Sequence, residues 1–355
     1  MSMIDRLIER PAKWLAGGKG QDEMVLSSRI RLARNLERVP FTNSADEATL
    51  TKVREDVEGA VKECFSMKGS LVIGVSDLDD VDRNILVERH LISQEMAKSS
   101  HTRSLVVQKD ERLSVMINEE DHLRIQSIES GLSVGKAYKR IDKLDNELDE
   151  HLRYAFNEKF GYLTACPTNV GTGLRVSVML HLPGLVHNKD IGRVIDGLRN
   201  MKLTVRGIYG EGSEFMGNLF QISNSITLGL SETDTVSNLE GHVKKVLDFE
   251  KKARELLLKK ARTLLEDRIW RAYGILRSAR LLSSKEAMSL ISAVRMGVGL
   301  GIITDISLPV LNELLIMIRP MHLQKLHGRL MNPEERDRVR ADFIRARLDR
   351  NEKEA

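Results

Sequence analysis

The 355-residue chain carries 55 Lys+Arg against 51 Asp+Glu, and it is 41% hydrophobic but only 4% aromatic. At roughly 150 residues per domain, this length predicts two domains with mainly aliphatic cores. The composition excludes a disordered chain, a collagen-like repeat and a disulfide scaffold.

Met1–Lys19 intersperses Asp5, Arg6, Glu9, Arg10 and Lys13 with apolar residues. A signal peptide needs an unbroken apolar stretch of about 7–15 residues, so none is expected here. Helical periodicity predicts a first helix over Glu47–Cys64. Short β-prone runs then alternate with polar and Gly-containing connections. Strands are expected at Leu71–Val75, Ser104–Gln108 and Leu113–Asn118, followed by a helix over Val134–Phe156. Strands Gly161–Ala165 and Arg175–Leu182, a helix Lys189–Met201, and strands Val205–Tyr209 and Leu219–Ser223 complete this region. The longest uncharged run, Phe215–Ser231, contains Asn218, Gln221, Asn224 and several serines, unlike a membrane span.

From about Val236 the strand signal disappears and helical periodicity dominates. No Pro/Gly/Ser linker marks the change, so a helix near Ser237–Leu265 is expected to bridge the two domains. From Glu255 onward the chain holds 19 Lys+Arg against 13 Asp+Glu. Such an excess on helices reads first as a solvated face, and direct nucleic-acid binding is not expected. Ala287–Ile303 carries apolar repeats, with Gly297 and Gly301 allowing close helix contact, either between copies of the chain or within the core. In the last helix Asn332 is suited to the N-cap, Pro333 to the first helical position, and Glu334 and Glu335 to the positive end of the dipole. Val339, Phe343, Ile344 and Leu348 form its apolar stripe.

The two cysteines, Cys64 and Cys166, have no neighbour at metal-ligand spacing, and no His pair is spaced for zinc. No metal held by protein side chains is expected, and the compartment is expected to be reducing and cytoplasmic. Gly131–Lys136 falls one residue short of a phosphate loop, and Ala137 stands where Ser or Thr is needed. Phosphate chemistry would therefore rest on side-chain cations. These occur in four groups. Arg29 and Arg31 alternate onto one face of the extended segment Ser27-Ser28-Arg29-Ile30-Arg31. Arg124 closes Asn118-Glu119-Glu120-Asp121-His122-Leu123-Arg124. Arg175 follows Cys166-Pro167-Thr168-Asn169-Val170-Gly171-Thr172, and Arg206 opens Arg206-Gly207-Ile208-Tyr209-Gly210-Glu211. Each group alone reads as solvated residues beside a strand or turn. Arginine's planar, permanently charged fork suits phosphate oxygens, and several converging arginines can hold a triphosphate.

In this order and with these neighbours, the four groups resemble the catalytic domain of phosphagen (guanidino) kinases, over roughly Met24–Arg254. The chain as a whole is similar to the bacterial protein-arginine kinase (McsB) family. By this resemblance it is expected to do without the N-terminal helical domain that closes over small guanidino substrates, and to carry an extra helical domain at the C-terminus. The resemblance implies an α+β catalytic domain with a mainly antiparallel sheet flanked by helices, spanning residues 24–254, and an all-helical domain over 255–355. It also implies transfer of the γ-phosphate of ATP, with Mg²⁺, to arginine on proteins.

By resemblance the nucleotide-binding residues are Ser27, Ser28, Arg29, Ile30 and Arg31, then His90 and Arg124. Arg175, Val176, Ser177, Val178 and Met179 follow, and finally Arg206, Gly207, Ile208, Tyr209, Gly210 and Glu211. Glu120 and Glu211 match the two carboxylates that grip the guanidinium, with Glu120 as base. Cys166 matches a reactive thiol that tunes the site. Arg336, Asp337, Arg338, Val339, Arg340 and Ala341 resemble an allosteric phosphoarginine-binding element. Implied partners are arginine-bearing proteins, a zinc-binding activator, a heat-shock repressor and a Clp-type protease, with the kinase itself a homo-oligomer acting in the stress response. The alternatives are a kinase of free arginine-like molecules and an inert phosphoarginine-binding adaptor.

Overall fold

The computed structural model describes residues 3–8, 11–17, 23–98, 101–207 and 215–354. In chain order the elements are α1 (Met3–Ile8), β1 (Val25–Arg34), α2 (Glu47–Glu63), β2 (Leu71–Gly74), α3 (Asp80–Glu88), β3 (Ser104–Val107), β4 (Leu113–Ile117), β5 (Leu123–Ser130) and α4 (Val134–Asp149). They continue with β6 (Phe156–Asn157), β7 (Gly161–Tyr162), β8 (Leu174–His181), α5 (Pro183–His187), α6 (Ile191–Asn200), β9 (Leu203–Arg206) and β10 (Leu219–Asn224). The helical region comprises α7 (Glu232–Ser278), α8 (Ser284–Gly299), α9 (Leu308–Met317), α10 (Pro320–Leu326) and α11 (Pro333–Glu354).

Among the described residues, eight strands form one antiparallel sheet in the order β2-β3-β4-β5-β1-β8-β10-β9. Its centre is β1, paired with β5 on one side and β8 on the other. Side chains alternate along each strand, so the register decides what each face carries. One face holds Ile30, Leu32, Leu123, Ile125, Val176, Val178, Leu180 and Ile222, all buried with residues of α2, α4 and the first half of α7 in one apolar core. The α+β fold with a mainly antiparallel sheet and a following helical domain is as expected.

Several elements differ from the sequence reading. The strand expected at Gly161–Ala165 is only the two-residue β7, in a hairpin with β6. The helix expected to reach Phe156 stops at Asp149. Elements not expected as such include the full length of β1, all of β5, and α3. Both strands hold residues such as Ser28, Gln126, Ser127 and Glu129 that are buried despite being polar, which disguises a central strand as a connection.

The bridging helix is α7, longer than expected, with a break in helical geometry at Ala261. Its Glu250, fully buried, accepts from the Gly184 and Leu185 amides at 2.9 Å each and from Arg254 Nε at 2.7 Å, tying the bridge to α5. A second core unites α8, α9 and α11 with the later half of α7 and with Leu26, Met179 and Leu219 of the sheet. Gly297 is used inside this core: a Cβ there would stand 2.5 Å from Ile269 Cγ2 of α7. At the start of α11, Asn332 Oδ1 accepts from Glu335 N, and Glu335 Oε2 accepts from Asn332 N, both at 2.9 Å, a reciprocal cap.

Candidate active site

The same register that builds the core gathers cations on the sheet's other face. Arg31 is opposite Arg175 on β8 and Gln126 on β5, while Arg29 is opposite Ser177. Gln221 on β10 is opposite both Met179 and Arg206. Counting by twos from these pairs puts Arg29, Arg31, Arg124, Arg175 and Arg206 on one face, contributed by the four strands β1, β5, β8 and β9. They line a cavity of about 770 Å³ together with His90, Glu95, Glu119 and Gln221.

Half-buried cations this close raise one another's energy. Burial, aided by Arg124 and Arg175, lowers the Arg29 pKa to about 10. Burial and the charges of Arg29, Arg124 and Arg175 push Arg31 well below the usual arginine range, and its buried Nε has no hydrogen-bond partner among the described residues. Arg29 reaches Gln221 Oε1 at 3.3 Å, and Arg175 reaches Ser223 Oγ at 3.3 Å. This is a surface organised to receive a polyanion, which supplies the missing acceptors and charge.

The β4–β5 turn sorts its three adjacent carboxylates into different duties. Glu119, buried, accepts from Arg124 Nη1 at 2.6 Å and from Ser93 Oγ at 2.5 Å. Burial opposes its charge, but Arg124 and Ser93 outweigh that and hold its carboxyl below the usual range. Asp121 is turned inward to Asn35 Nδ2 and the Ala165 amide, both at 2.7 Å. His122, fully buried, accepts from the Leu36 amide through Nδ1. Glu120 alone of the three carboxylates faces outward, its side chain 44% exposed, with Arg124 Nη1 3.9 Å away and Asn169 Nδ2 at 3.4 Å. It lines a second cavity of about 510 Å³ that shares Glu95 and Glu119 with the arginine cavity.

The Cys-Pro turn lies against this corner. Cys166 is half-buried, with Sγ 3.0 Å from Thr168 Oγ1. At the opposite end, a narrow extension lined by Trp14, Leu26, Met179 and Leu315 shares Arg29, His90 and Gln221 with the arginine cavity. A further groove of about 520 Å³, lined by Val194, Met201, Phe249 and Leu256, shares no residue with the arginine cavity.

Not every expected nucleotide residue lines the cavity. Ile30, Val176 and Val178 are fully buried in the opposite core, and Ser28 also faces away, bonded to Gly131 O at 2.8 Å. Alternation requires this: only every second residue of a strand can share the face of Arg29 and Arg175. Ser27 and Ser177 border the narrow extension. Gly207 follows Arg206 beyond β9. Ile208, Tyr209, Gly210 and Glu211, also expected to bind nucleotide, lie outside the described residues. Residues missed by the sequence reading are Glu119, Gln221, Gln126 and Ser93. The strand register from Arg206 to Gln221 was the signal available for Gln221.

Among the described residues, no group of three or more His, Cys, Asp or Glu is placed to hold a metal ion, and no helix is long and apolar enough to cross a membrane. In α11, Arg340 is buried and donates to Ile318 O at 3.0 Å, to Leu282 O at 2.8 Å and to Asp337. Arg336 is half-buried and reaches Met331 O at 3.3 Å.

Residues 52–253 match the family model of the ATP:guanido phosphotransferase C-terminal catalytic domain, and residues 262–355 match that of the McsB protein-arginine kinase C-terminal domain. The chain belongs to the protein-arginine kinase family. It is 45% identical over 351 residues to a protein-arginine kinase of Halothermothrix orenii, covering 98% of this chain and 99% of the relative. A protein-arginine kinase of Symbiobacterium thermophilum is 46% identical, with 95% and 96% covered. Among solved structures, lombricine kinase is similar with a TM-score of 0.60 and 26% identity, covering 70% of this chain and 75% of that one. The duplicated taurocyamine kinase of Schistosoma mansoni, with bound transition-state-analogue components, gives 0.60 and 25%, covering 75% and 41%. Fold and family thus place this chain among phosphotransferases that act on guanidino groups.

Proposed function

We propose that the protein transfers the γ-phosphate of ATP to arginine side chains of other proteins. The observation that carries this reading is the placement of exposed Glu120 at the edge of a cavity lined by five arginines. Phosphoryl transfer asks the protein mainly for alignment and charge neutralisation. Arg29, Arg31, Arg124, Arg175 and Arg206 fit a triphosphate in number, charge and shared orientation. Magnesium arriving with the nucleotide would add further neutralising charge.

The acceptor guanidinium is a poor nucleophile while protonated, its pKa lying above ~12. Glu120 orients it beside the phosphate-binding face and accepts a proton from the attacking nitrogen. As the N–P bond forms, the bond between the γ-phosphorus and the bridging oxygen breaks and ADP leaves. Glu211 is assigned as the second carboxylate gripping the acceptor. Glu119 keeps Arg124 aimed at the phosphates, and Cys166 tunes the acceptor corner.

The open second cavity around Glu120 favours a protein-borne arginine over a small enclosed substrate. We place the domain boundary within α7, near residues 254–255, and assign the Arg336–Ala341 element as a phosphoarginine-responsive site. Arg340 is engaged by carbonyls, which leaves half-buried Arg336 and exposed Arg338 as the element's more available cations. A cytoplasmic role in stress-linked protein turnover follows from the same reading. That role brings a zinc-binding activator, a heat-shock repressor and a Clp-type protease as partners and a homo-oligomeric kinase. The test is incubation with MgATP and either casein or free L-arginine, followed by mass spectrometry at neutral pH. Acid-labile phosphate on casein arginines is expected; phosphate on free arginine alone would replace the reading with a small-guanidino kinase.

A further inference from the structure

Three consecutive residues at the end of α3 face three different parts of the molecule. Glu88 reaches the helical domain: its carboxylate accepts from the Met321 and His322 amides at 3.0 and 3.1 Å and from His322 Nδ1 at 2.7 Å. Arg89, fully buried, donates through Nε to Glu111 Oε2 at 2.9 Å, pairs with the other Glu111 oxygen, and lies with Nη1 3.5 Å from His322 Nε2. His90 borders the arginine cavity.

His90 also has φ of 60°, the left-handed conformation usually left to glycine. It caps α3 through its amide to Val87 O, and its own carbonyl accepts from Gln126 Nε2 at 2.9 Å. A histidine in this conformation must be held by its surroundings. The holding contacts are Gln126 beside the phosphate face and the Glu88 and Arg89 anchors on either side of His322. His322 is fully buried at the junction between the two domains.

We infer that Glu88, Arg89 and His322 form a clamp by which the helical domain sets the position of His90 at the nucleotide end of the cavity. The clamp residues are positioning residues, since none lines the cavity itself. The inference rests on the assignment of that cavity to ATP. His90 lies where the arginine cavity meets the narrow extension, away from the Glu119–Glu120 corner. Loosening the clamp should therefore affect nucleotide affinity more than transfer.

The experiment uses the full chain and steady-state kinetics with MgATP and casein. In His322→Ala, the KM for MgATP is expected to rise about five- to tenfold, with kcat and the KM for casein within twofold of wild type. Asparagine can place a donor near the position of Nδ1, so His322→Asn should recover most of the affinity. Glu88→Gln, whose single amide oxygen can keep only one of the two amide caps and whose NH2 replaces the other acceptor, serves if His322→Ala does not fold, and should show the same KM-only change. Direct MgADP binding to Arg31→Ala separates the two levels of inference. If Arg31→Ala binds MgADP like wild type, the nucleotide assignment fails and the clamp with it. If Arg31→Ala loses binding while His322→Ala or Glu88→Gln keeps the wild-type KM, the clamp alone is wrong.

Discussion

Arg31 is the residue whose surroundings most plainly call for an anion. It is flanked by Arg29, Arg124 and Arg175, and its buried Nε has no partner among the described residues. A hydrogen bond to a charged group contributes about 1.5–3 kcal/mol, roughly a ten- to hundredfold change in affinity. Arg31→Ala should weaken MgADP binding by at least about tenfold in titration calorimetry, and an unchanged affinity would count against the phosphate face. At this scale the sequence was informative about cations and silent about their restraints. Arg29, Arg31, Arg124, Arg175 and Arg206 were legible because each stands in a specific local motif. Glu119, Glu120 and Asp121 are chemically near-identical neighbours, and only the turn between β4 and β5 decides which is buried against Arg124, which caps Ala165 and which stays open.

Elements are held by buried charge as well as by apolar packing. Arg34, at the end of β1, is fully buried between Asp145 of α4 at 2.6 Å and Glu232 of α7 at 3.3 Å, with its guanidinium 3.5 Å from the Tyr162 ring centroid. Removing one partner of a buried pair strands the other, at a cost of about 3–5 kcal/mol. Arg34→Ala should lower stability by that order in urea unfolding, and a loss below about 1 kcal/mol would contradict the role.

His181, on β8, is fully buried with Nε2 2.8 Å from Ser292 Oγ of α8. Burial, with Arg295 and Arg254 nearby, holds its pKa well below the ordinary value. The unfolded chain then binds a proton that the native protein refuses. The associated stability is full above about pH 6.5, the unfolded value, and is lost as pH falls toward the folded one. Wild type should therefore lose more stability between pH 7.5 and 5.5 than His181→Asn does; equal losses in urea midpoints would contradict this. Most other elements could be read from periodicity, including α2, α6, β8 and the capped α11. All of β5, and β1 beyond the extended segment Ser27–Arg31, could not, because the site itself is built on them. Alternation of apolar residues with Arg, Gln and Ser reads as a surface segment until a second layer covers both faces.

For the whole molecule, one sheet serves two purposes: one face buries the core of the catalytic domain, and the other collects charge and meets the helical domain. An anion that relieves crowding among the arginines should stabilise the native state alone. At a free ligand concentration of about one hundred times Kd, the gain is about 2.7 kcal/mol, visible as a rise in Tm of several degrees. MgADP should produce that rise in wild type and little in Arg31→Ala. The change from a sheet to a helical region was legible from the loss of strand signal near Val236, whereas the continuity of α7 and the contacts at His322 depend on long-range packing without a local sequence pattern. The most direct test of the account is phosphoryl transfer by Glu120→Gln, followed with radiolabelled ATP and casein and paired with MgADP titration. Transfer should fall to background while nucleotide affinity stays within about twofold of wild type, since Glu120 lines the acceptor cavity and not the phosphate face. Wild-type turnover by this variant would contradict the assignment of the acceptor site.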